Sequence, residues 1–355
     1  MENLFRAYKE ARRSKRRIRK YPELAKFEKD LNLSLCKLQL ELINGTWKPS
    51  GKYRRFVTWD TGKERIVDWN PSFVDNVVQH AIQQTAGQVL LRAGIRDTYS
   101  GIPGRGVHDG VKRIARFLKE YRMDLMPCYV MKLDVRKFYA SIDLDRLKEK
   151  IRRRIKDQRM LHVIDQVIDS HPNGLPIGNY LSQHLANFFL ADFDQAVKAQ
   201  SVKHYGRYCD DIVAISSEKE KLKELMKFSI GYNGGNALQI KSNAQVFPIE
   251  RNGIDFLGYV FHRHSIRLRK RNERNFRKAG REFLENPCEE TLHPLASYNG
   301  ELKWTSHGEK LWRKVVKKPL KQLQQEVRNA EKHSRKHEDR FPGRNAVRRA
   351  SHAPA

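Results

Sequence analysis

Apolar residues recur at intervals of three and four along the first part of the chain, which is the spacing of an amphipathic helix. The repeating positions are Leu24, Phe27, Leu31, Leu35, Leu38 and Leu42. Such a stripe lies on one face of a helix and is usually buried against the rest of a domain. The pattern therefore predicts helical structure from Leu4 to about Trp47.

The next apolar residues follow a strand pattern before the helical spacing returns. KYRRFVTWDTGKERIV (residues 52–67) predicts two short strands joined by a turn at residues 60–62. PSFVDNVVQHAIQQTAGQVLL predicts a helix that begins at Pro71 or is capped by Ser72. SGIPGRGVHDGVKRI (residues 100–114) predicts a loop and then a helix.

Strands and helices alternate through the middle of the chain. The predicted elements are a strand over Tyr129–Val135, a helix from Asp143, a long helix over Asn179–Val197, and two strands within Lys203–Ser216 around a Cys209–Asp210 turn. This order gives a β-α-β-β core. Residues 254–270 predict a further hairpin, and helical spacing continues to about Lys332. The tail beyond has too few apolar residues to pack, so we expect it to be disordered until it binds a partner.

Charge narrows the choice of partner. The 355 residues include 70 Lys and Arg against 41 Asp and Glu, which gives a net charge of +29 and favours a polyanion such as nucleic acid. An acidic membrane or protein partner, or charge that only aids solubility, is the alternative. A basic cluster in the first helical region is either a solvated face or a phosphate contact: Arg12, Arg13, Lys15, Arg16, Arg17, Arg19 and Lys20.

The cysteines indicate a reducing compartment. Cys36, Cys128, Cys209 and Cys288 are few and scattered, and no C-x-x-C pair suggests zinc. Charges interrupt the N-terminal segment every few positions, so it has no signal-peptide core, and no stretch is apolar enough to span a membrane. We expect a soluble, cytoplasmic protein encoded by a bacterium, an archaeon or a phage.

Two adjacent carboxylates, Asp210 and Asp211, lie at the predicted hairpin turn. Like charges side by side repel each other unless a cation lies between them. A third carboxylate, Asp134, ends the strand VMKLD, and an adjacent strand would bring it beside the pair. Such a trio can hold two Mg²⁺ ions for phosphoryl transfer. The alternative is a pair of solvated turn aspartates.

Segments around these aspartates resemble reverse transcriptases. Tyr208-Cys209-Asp210-Asp211 is similar to the Y-x-D-D box of that family, and KLDVRKFYASI (residues 132–142) resembles its first palm motif. The resemblance implies an α+β, right-hand polymerase fold with fingers, a palm with a β-α-β-β core, and a helical thumb. It also implies two Mg²⁺ ions, with these metal positions: Asp134, Val135, Asp210 and Asp211.

Other motifs extend the resemblance over most of the chain. In GKERI, Lys63 and Arg65 match the basic positions that hold the incoming triphosphate, and VVQHAI and GIPGRGVHDGV match further fingers motifs. IDFLGY is similar to the primer-grip hairpin, which implies roles for Phe256, Leu257, Gly258 and Tyr259. The implied domains are a basic N-terminal segment (1–50), fingers (51–125), a palm (126–250) with a fingers insertion near 145–175, a primer grip and thumb (251–332), and a basic tail (333–355).

GLPIGNYLSQHLANFFL (residues 174–190) distinguishes kinds of reverse transcriptase. Many bacterial members have a Gln-Gly pair followed by Ser-Pro, whereas this chain has Ile177-Gly178 and Ser182-Gln183. This form, together with LASYNGELKW, resembles the enzymes of diversity-generating retroelements, which copy a template-repeat RNA with frequent errors opposite adenines. Ile lacks the amide with which Gln can fix base geometry, so selectivity should fall. Ile177 packing beneath the fingers is the alternative.

The resemblance implies further nucleotide contacts. Tyr139 occupies the position of the aromatic ring that excludes a ribose 2′-hydroxyl, with Phe138 beside it either at the nucleotide or in the core. Lys241 is the candidate that protonates departing pyrophosphate, although the match to relatives is loose. Asn76 stands where relatives often have Arg, so no nucleotide contact is assigned to it.

We therefore expect an RNA-directed DNA polymerase of a diversity-generating retroelement. The alternatives are a retron or phage-defence reverse transcriptase, and a catalytically silent RNA-binding protein on the same fold. The expected partners are template RNA, primer and cDNA, dNTPs, and a small basic oligomeric accessory variability protein that RNA would bridge to this basic chain.

Overall fold

The structure is a computed structural model that describes residues 1–13, 15, 21–60, 63–123, 126–321 and 325, apart from the side chains of Asp60 and Lys63. The chain forms two compact units, residues 1–264 and residues 265–355, and each is described by itself. The predicted domain limits remain predictions. The basic tail over 333–355 lies outside the described residues, as do Arg16, Arg17, Arg19 and Lys20.

Three helices begin the first unit: α1 (Glu2–Arg13), α2 (Pro22–Lys29) and α3 (Leu31–Ile43). Their buried residues include Leu24, Phe27, Leu35 and Leu38, as the apolar spacing predicts.

Lys15 contradicts the expectation that the N-terminal basic cluster is a solvated face or a phosphate contact. Its side chain is buried, and its Nζ lies 5.6 Å from the ring centroid of Tyr21 and 5.8 Å from that of Phe73. Burial lowers the pKa of this amine. Lys15 therefore packs on aromatic rings and is not presented to a phosphate, because an amphipathic lysine can bury its stem and its charge against them.

The predicted hairpin and helices follow in order. Strands β1 (Arg54–Asp60) and β2 (Lys63–Trp69) pair antiparallel. Helix α4 (Phe73–Gln84) is capped by Ser72, whose Oγ accepts a hydrogen bond from the amide of Asp75 at 3.2 Å. Helices α5 (Ala86–Leu91) and α6 (Val107–Lys119) complete this region.

A four-stranded antiparallel sheet forms the centre of the first unit, in the order β4-β5-β3-β6. The elements are β3 (Tyr129–Asp134), α7 (Phe138–Ser141), α8 (Leu144–Arg154), α9 (Gln158–Asp169), α10 (Tyr180–Phe189), α11 (Ala191–Ala199), β4 (His204–Tyr208), β5 (Asp211–Ser216), α12 (Lys219–Gly235), β6 (Gln245–Pro248) and α13 (Ile249–Asn252). The predicted strands are confirmed. The long helix predicted over Asn179–Val197 is instead two helices that meet at Leu190.

The segment IDFLGYVF closes the first unit as a hairpin. Strands β7 (Ile254–Phe256) and β8 (Tyr259–Phe261) are joined by Leu257 and Gly258, which have φ angles of 57° and 85°. A two-residue turn with both φ angles positive matches the twist of the flanking strands. The hairpin predicted from this segment is confirmed.

The second unit begins with β9 (Ile266–Leu268) and is otherwise helical where it is described. Its helices are α14 (Lys270–Glu285), α15 (Glu289–Leu302) and α16 (Gly308–Trp312), and a π-helical turn follows over Arg313–Lys317. Phe276 packs on Trp312 and Tyr298, with ring centroids 5.8 and 5.9 Å apart. Helices and antiparallel strands in this arrangement confirm the predicted α+β class.

Candidate active site

Three carboxylates meet at one edge of the central sheet. Asp134 is the last residue of β3 and Asp211 the first of β5, and they are register partners in the antiparallel pair. Asp210 lies in the turn before β5, and its carbonyl accepts a hydrogen bond from the amide of Val135 at 3.3 Å. The structure thus brings together the three aspartates that the sequence analysis singled out.

The turn between β4 and β5 has an uncommon backbone. Tyr208 pairs with Asp211, so Cys209 and Asp210 form the whole turn. Cys209 has a φ angle of 53°, in the left-handed region that residues other than glycine seldom occupy. Contacts from the rest of the fold must therefore hold this conformation.

Burial and mutual repulsion disfavour ionisation of the two turn carboxylates. Burial raises the pKa of Asp211 to about 7; Asp134 and Asp210 add to the rise, and Lys132 opposes it. Burial also raises the pKa of Asp210, with a further contribution from Asp134. Asp211 forms an ion pair with Lys132, whose Nζ lies 3.7 Å from Oδ1. Among the described residues, that buried Oδ1 has no hydrogen-bond partner.

Lys241 lies beside the third carboxylate. Its Nζ is 2.5 Å from Oδ1 of Asp134, and its amide donates to the carbonyl of Asp134 at 2.8 Å. An isolated bridge between Val135 and Ile240 aligns the two segments. The residue that sequence comparison placed only loosely thus contacts the cluster directly.

The three carboxylates fit a hard divalent cation in their chemistry. In the part of the chain that the structure describes, no group of three or more His, Cys, Asp or Glu side chains has the geometry to hold a metal ion. Carboxylate oxygens are nevertheless the ligands that Mg²⁺ prefers, and Oδ1 of Asp211, which accepts no hydrogen bond from the described residues, is such an oxygen. At the third carboxylate, Oδ1 of Asp134 contacts Nζ of Lys241.

A cavity of about 370 Å³ adjoins this edge and contains several of the predicted nucleotide contacts. Ile177 is 48% exposed on its wall, which disfavours the alternative in which it packs beneath the fingers. At Gly178 an added Cβ would lie 2.4 Å from the carbonyl oxygen of Asp68, so only glycine fits against β2. The lining residues are Asn76, His80, Tyr139, Ile177, Gly178, Asn179, Tyr180 and Gln183.

A stacked pair in the cavity was missed by sequence reasoning. The rings of His80 and Tyr180 are 3.7 Å apart at their centroids and 21° from parallel. Tyr180 is 41% exposed, whereas burial lowers the pKa of His80 to about 4 and keeps the imidazole neutral at pH 7. Both lie within quoted motifs, VVQHAI and GNYLS, but a stack between residues 100 positions apart has no local signal.

Tyr139 and Gln183 both reach the carboxylate turn through Cys209. The hydroxyl of Tyr139 lies 3.8 Å from Sγ of Cys209, and Nε2 of Gln183 lies 3.9 Å from the same atom. Gln183 also donates to Oγ of Ser100. Phe138, by contrast, is 2% exposed and belongs to the core, so the structure removes it from the predicted nucleotide contacts. Two adjacent residues of this short helix necessarily point in different directions.

The two basic residues predicted to hold the triphosphate, Lys63 and Arg65, both lie in β2. Arg65 is exposed on β2, and its charge lowers the pKa of Asp210, which places it near the carboxylates. Lys63 is in the same strand, but its side chain lies outside the described atoms.

The predicted primer-grip residues form the β7–β8 hairpin. Phe256 and Tyr259 are buried, while Leu257 and Gly258 form its turn. Nζ of Lys132 donates to the carbonyl of Asp255, which joins the hairpin to β3 beside the aspartates.

The family model described as reverse transcriptase (RNA-dependent DNA polymerase) matches residues 52–261. Comparison with curated protein sequences gives no significant match.

Similar solved structures include telomerases from two yeasts. A Candida tropicalis telomerase truncated from its C-terminal domain is 15% identical, with 61% of this chain and 55% of that chain covered and a TM-score of 0.47. The same telomerase with a fragment of telomeric RNA is 13% identical, with 78% and 58% covered and a TM-score of 0.48. The Candida albicans complex is 10% identical, with 75% and 56% covered and a TM-score of 0.48. The chain thus spans little more than half the length of these telomerases.

Proposed function

The chain belongs to the reverse transcriptase (RNA-dependent DNA polymerase) family, and we propose that it copies an RNA template into DNA within a diversity-generating retroelement. It would extend a primer with deoxynucleotides along a template-repeat RNA and make errors opposite adenines. The observation that carries the polymerase part is the register pairing of Asp134 with Asp211, with Asp210 in the adjoining turn.

The residues that would hold two Mg²⁺ ions are Asp134, Val135, Asp210 and Asp211. Bound Mg²⁺ would supply a Lewis acid that stabilises negative charge on the attacking and leaving oxygens of phosphoryl transfer. The raised pKa values of Asp210 and Asp211 support this assignment, because burial and crowded like charge make these carboxylates respond strongly to a cation.

The surrounding side chains would bind and orient the nucleotide. Arg65 would hold the triphosphate through charge-assisted hydrogen bonds, with Lys63 beside it in β2. Tyr139, on the cavity wall, would occupy the space that a ribose 2′-hydroxyl needs. Lys241 would donate a proton to departing pyrophosphate, a role supported by its 2.5 Å contact with Asp134.

Ile177 carries the retroelement part of the proposal. Its 48% exposed side chain in the cavity offers apolar bulk where many relatives have an amide. Without a directional hydrogen bond, template and nucleotide geometry would be less constrained. A retron or phage-defence enzyme is the alternative, and a template repeat beside a variable repeat in the genome would separate the two.

Template RNA, primer, dNTPs and a basic oligomeric accessory protein are the proposed partners. The net charge of +29 supports RNA binding, and it makes RNA the natural bridge to a second basic protein. Four free cysteines support a cytoplasmic location. Among the described residues, no helix has both the length and the apolar character needed to cross a membrane.

Sequencing the cDNA made from one defined RNA tests this function. Wild type should extend a primer with dNTPs and Mg²⁺, and its errors should concentrate opposite template adenines. Extension with evenly distributed errors would support the polymerase but reject the retroelement assignment. No extension by a folded, RNA-binding protein would reject both and leave the silent RNA-binding alternative.

A further inference from the structure

A buried ion pair lies directly behind the carboxylate turn. Arg207 and Asp194 have side chains that are 1% and 0% exposed, with Nη2 of Arg207 2.6 Å from Oδ2 of Asp194. Nε of Arg207 contacts both carboxylate oxygens at 2.9 and 3.0 Å. Tyr205 donates its hydroxyl to the same carboxylate at 2.6 Å.

Stability alone is a weak explanation for such a pair. Removing two charges from water is costly, and well-packed apolar side chains often stabilise a core equally well or better. The other contacts of the pair therefore indicate what it does. Nε and Nη2 of Arg207 face Asp194, whereas Nη1 faces the turn.

Arg207 forms a hydrogen bond with the peptide group that precedes Asp210. Its Nη1 donates to the carbonyl of Cys209 at 2.8 Å. That carbonyl belongs to the Cys209–Asp210 peptide, so its direction fixes the plane from which Asp210 and then Asp211 emerge. Because Cys209 has a left-handed φ angle of 53°, an outside contact is needed to keep this conformation.

The same network also holds the side chain of Cys209. Nη1 of Arg207 donates to Oδ1 of Asn187 at 3.2 Å, and Nδ2 of Asn187 donates to the carbonyl of Ser100 at 2.5 Å. Oγ of Ser100 in turn lies 2.8 Å from Sγ of Cys209. Both the carbonyl and the thiol of this residue are thus tied to one buried framework.

We propose that Arg207, oriented by Asp194, is a positioning residue that holds the Cys209–Asp210 peptide in the conformation that presents Asp210 and Asp211 to divalent metal. This inference rests on the proposed function of those carboxylates. Lysine cannot replace arginine here, because one ammonium lacks the planar fork that contacts Asp194 and the carbonyl together.

The test uses Mn²⁺ alone as the probe, with binding followed by electron paramagnetic resonance, beside primer extension and thermal melting. Arg207→Lys keeps the charge but loses the fork. The double variant Arg207→Met with Asp194→Leu removes both charges and keeps apolar volume, which favours a retained fold. Arg113→Lys is the matched control, because Arg113 forms an ion pair with Asp97 at 2.8 Å and, in the part of the chain that the structure describes, has no hydrogen bond to the turn.

In the folded Arg207→Lys protein we expect Mn²⁺ affinity and the extension rate each to fall about tenfold or more, the loss typical of one hydrogen bond from a charged group. The double variant should melt near wild type and show the same loss, while RNA binding and the Arg113→Lys control stay unchanged. Unchanged Mn²⁺ affinity in either folded variant would reduce Arg207 to a structural residue and overturn the inference. If wild type fails to extend a primer, the proposed function fails, and the Mn²⁺ arm still decides the role of Arg207.

Discussion

The two hairpins that present the proposed catalytic charges are supported very differently. Between β4 and β5 the turn carries Asp210 and Asp211, and β5 is flanked by β3 on its other side. The β1–β2 hairpin carries Arg65 but is a two-stranded sheet. Its exposed apolar side chains include Phe56, Val57, Trp59 and Ile66, at 48%, 49%, 70% and 51% exposure.

This difference in structural support fits the role proposed for the charges on each hairpin. Metal ligands must be held at fixed separations, and the buried interior of β5, with Ile212, Val213 and Ala214 at 0% exposure, provides that rigidity. A two-stranded hairpin is marginally stable alone. We therefore expect the carboxylate turn to decide whether the reaction occurs, and β1–β2 to decide how well a nucleotide is held.

The largest expected effect is at the carboxylate turn. Asp210→Asn or Asp211→Asn removes the charge of a proposed metal ligand and should lower primer extension about a thousandfold or more, since several kcal/mol of charge stabilisation would be lost. Extension of a labelled primer on RNA measures this. A variant that extends at near the wild-type rate would exclude the residue from the metal site.

Thermal melting of Asp211→Asn separates an effect on catalysis from an effect on folding. The pKa of Asp211 is raised to about 7 in the fold, from an ordinary value of 3.8. The fold therefore binds the proton more tightly than the unfolded chain, and in metal-free wild type this stabilisation is lost as the pH rises from about 4 through 7. Asp211→Asn should melt higher than wild type at pH 8 and close to it at pH 4. A lower melting temperature at pH 8 would contradict the burial argument.

Arg65→Ala should weaken nucleotide use without abolishing chemistry. Loss of a charge-assisted contact to the triphosphate should lower kcat/KM for all four dNTPs by about ten- to a hundredfold. Arg55→Ala is the control on the same hairpin, because Arg55 is paired with Asp68 at 2.8 Å on the opposite face. Equal losses in the two variants would indicate a damaged hairpin and not a lost triphosphate contact.

Tyr139→Ala should admit ribonucleotides. Removing the ring opens space for a 2′-hydroxyl, so discrimination between dNTP and rNTP should fall about tenfold or more. Tyr139→Phe keeps the ring and loses only the weak contact with Cys209, so it should discriminate as wild type does. Competition between matched dNTP and rNTP measures both, and unchanged discrimination in the Ala variant would remove Tyr139 from this role.

The smallest effect concerns fidelity. Ile177→Gln adds a hydrogen-bonding group to the cavity and should reduce the proposed errors opposite template adenine about two- to tenfold, the range of one neutral hydrogen bond. Ile177→Leu is the control that keeps apolar bulk, and its error rate should match wild type. If the Gln variant retains activity and the full adenine error rate, the source of infidelity lies elsewhere.

Local pattern was enough to predict the carboxylate turn. Strand periodicity placed Asp134 at the end of β3 and the Asp210–Asp211 pair at a hairpin, and antiparallel pairing brings such ends together. The same local reasoning predicted a hairpin within residues 254–270, and the structure places its turn at Leu257 and Gly258.

Contacts between segments that are distant in the chain could not be predicted from the sequence. Arg207 binds Asp194 on α11, and His80 stacks on Tyr180, and neither partner is marked by local spacing. Burial of single side chains was also not fixed by local pattern: Lys15 packs on aromatic rings, and of the two positions left open for Phe138 the structure shows the core. Periodicity reports which face of an element is apolar, whereas the neighbour of that face depends on the whole fold.

Single-nucleotide incorporation measured across a dNTP titration, with wild type, Asp211→Asn and Arg65→Ala on one RNA template, tests the comparison of the two hairpins most directly. Arg65→Ala should recover most of its rate as dNTP rises, because its defect is in binding. Asp211→Asn should stay inactive at every dNTP concentration while it still binds RNA and melts cooperatively. Recovery of Asp211→Asn at saturating dNTP would contradict a catalytic role for the carboxylate turn.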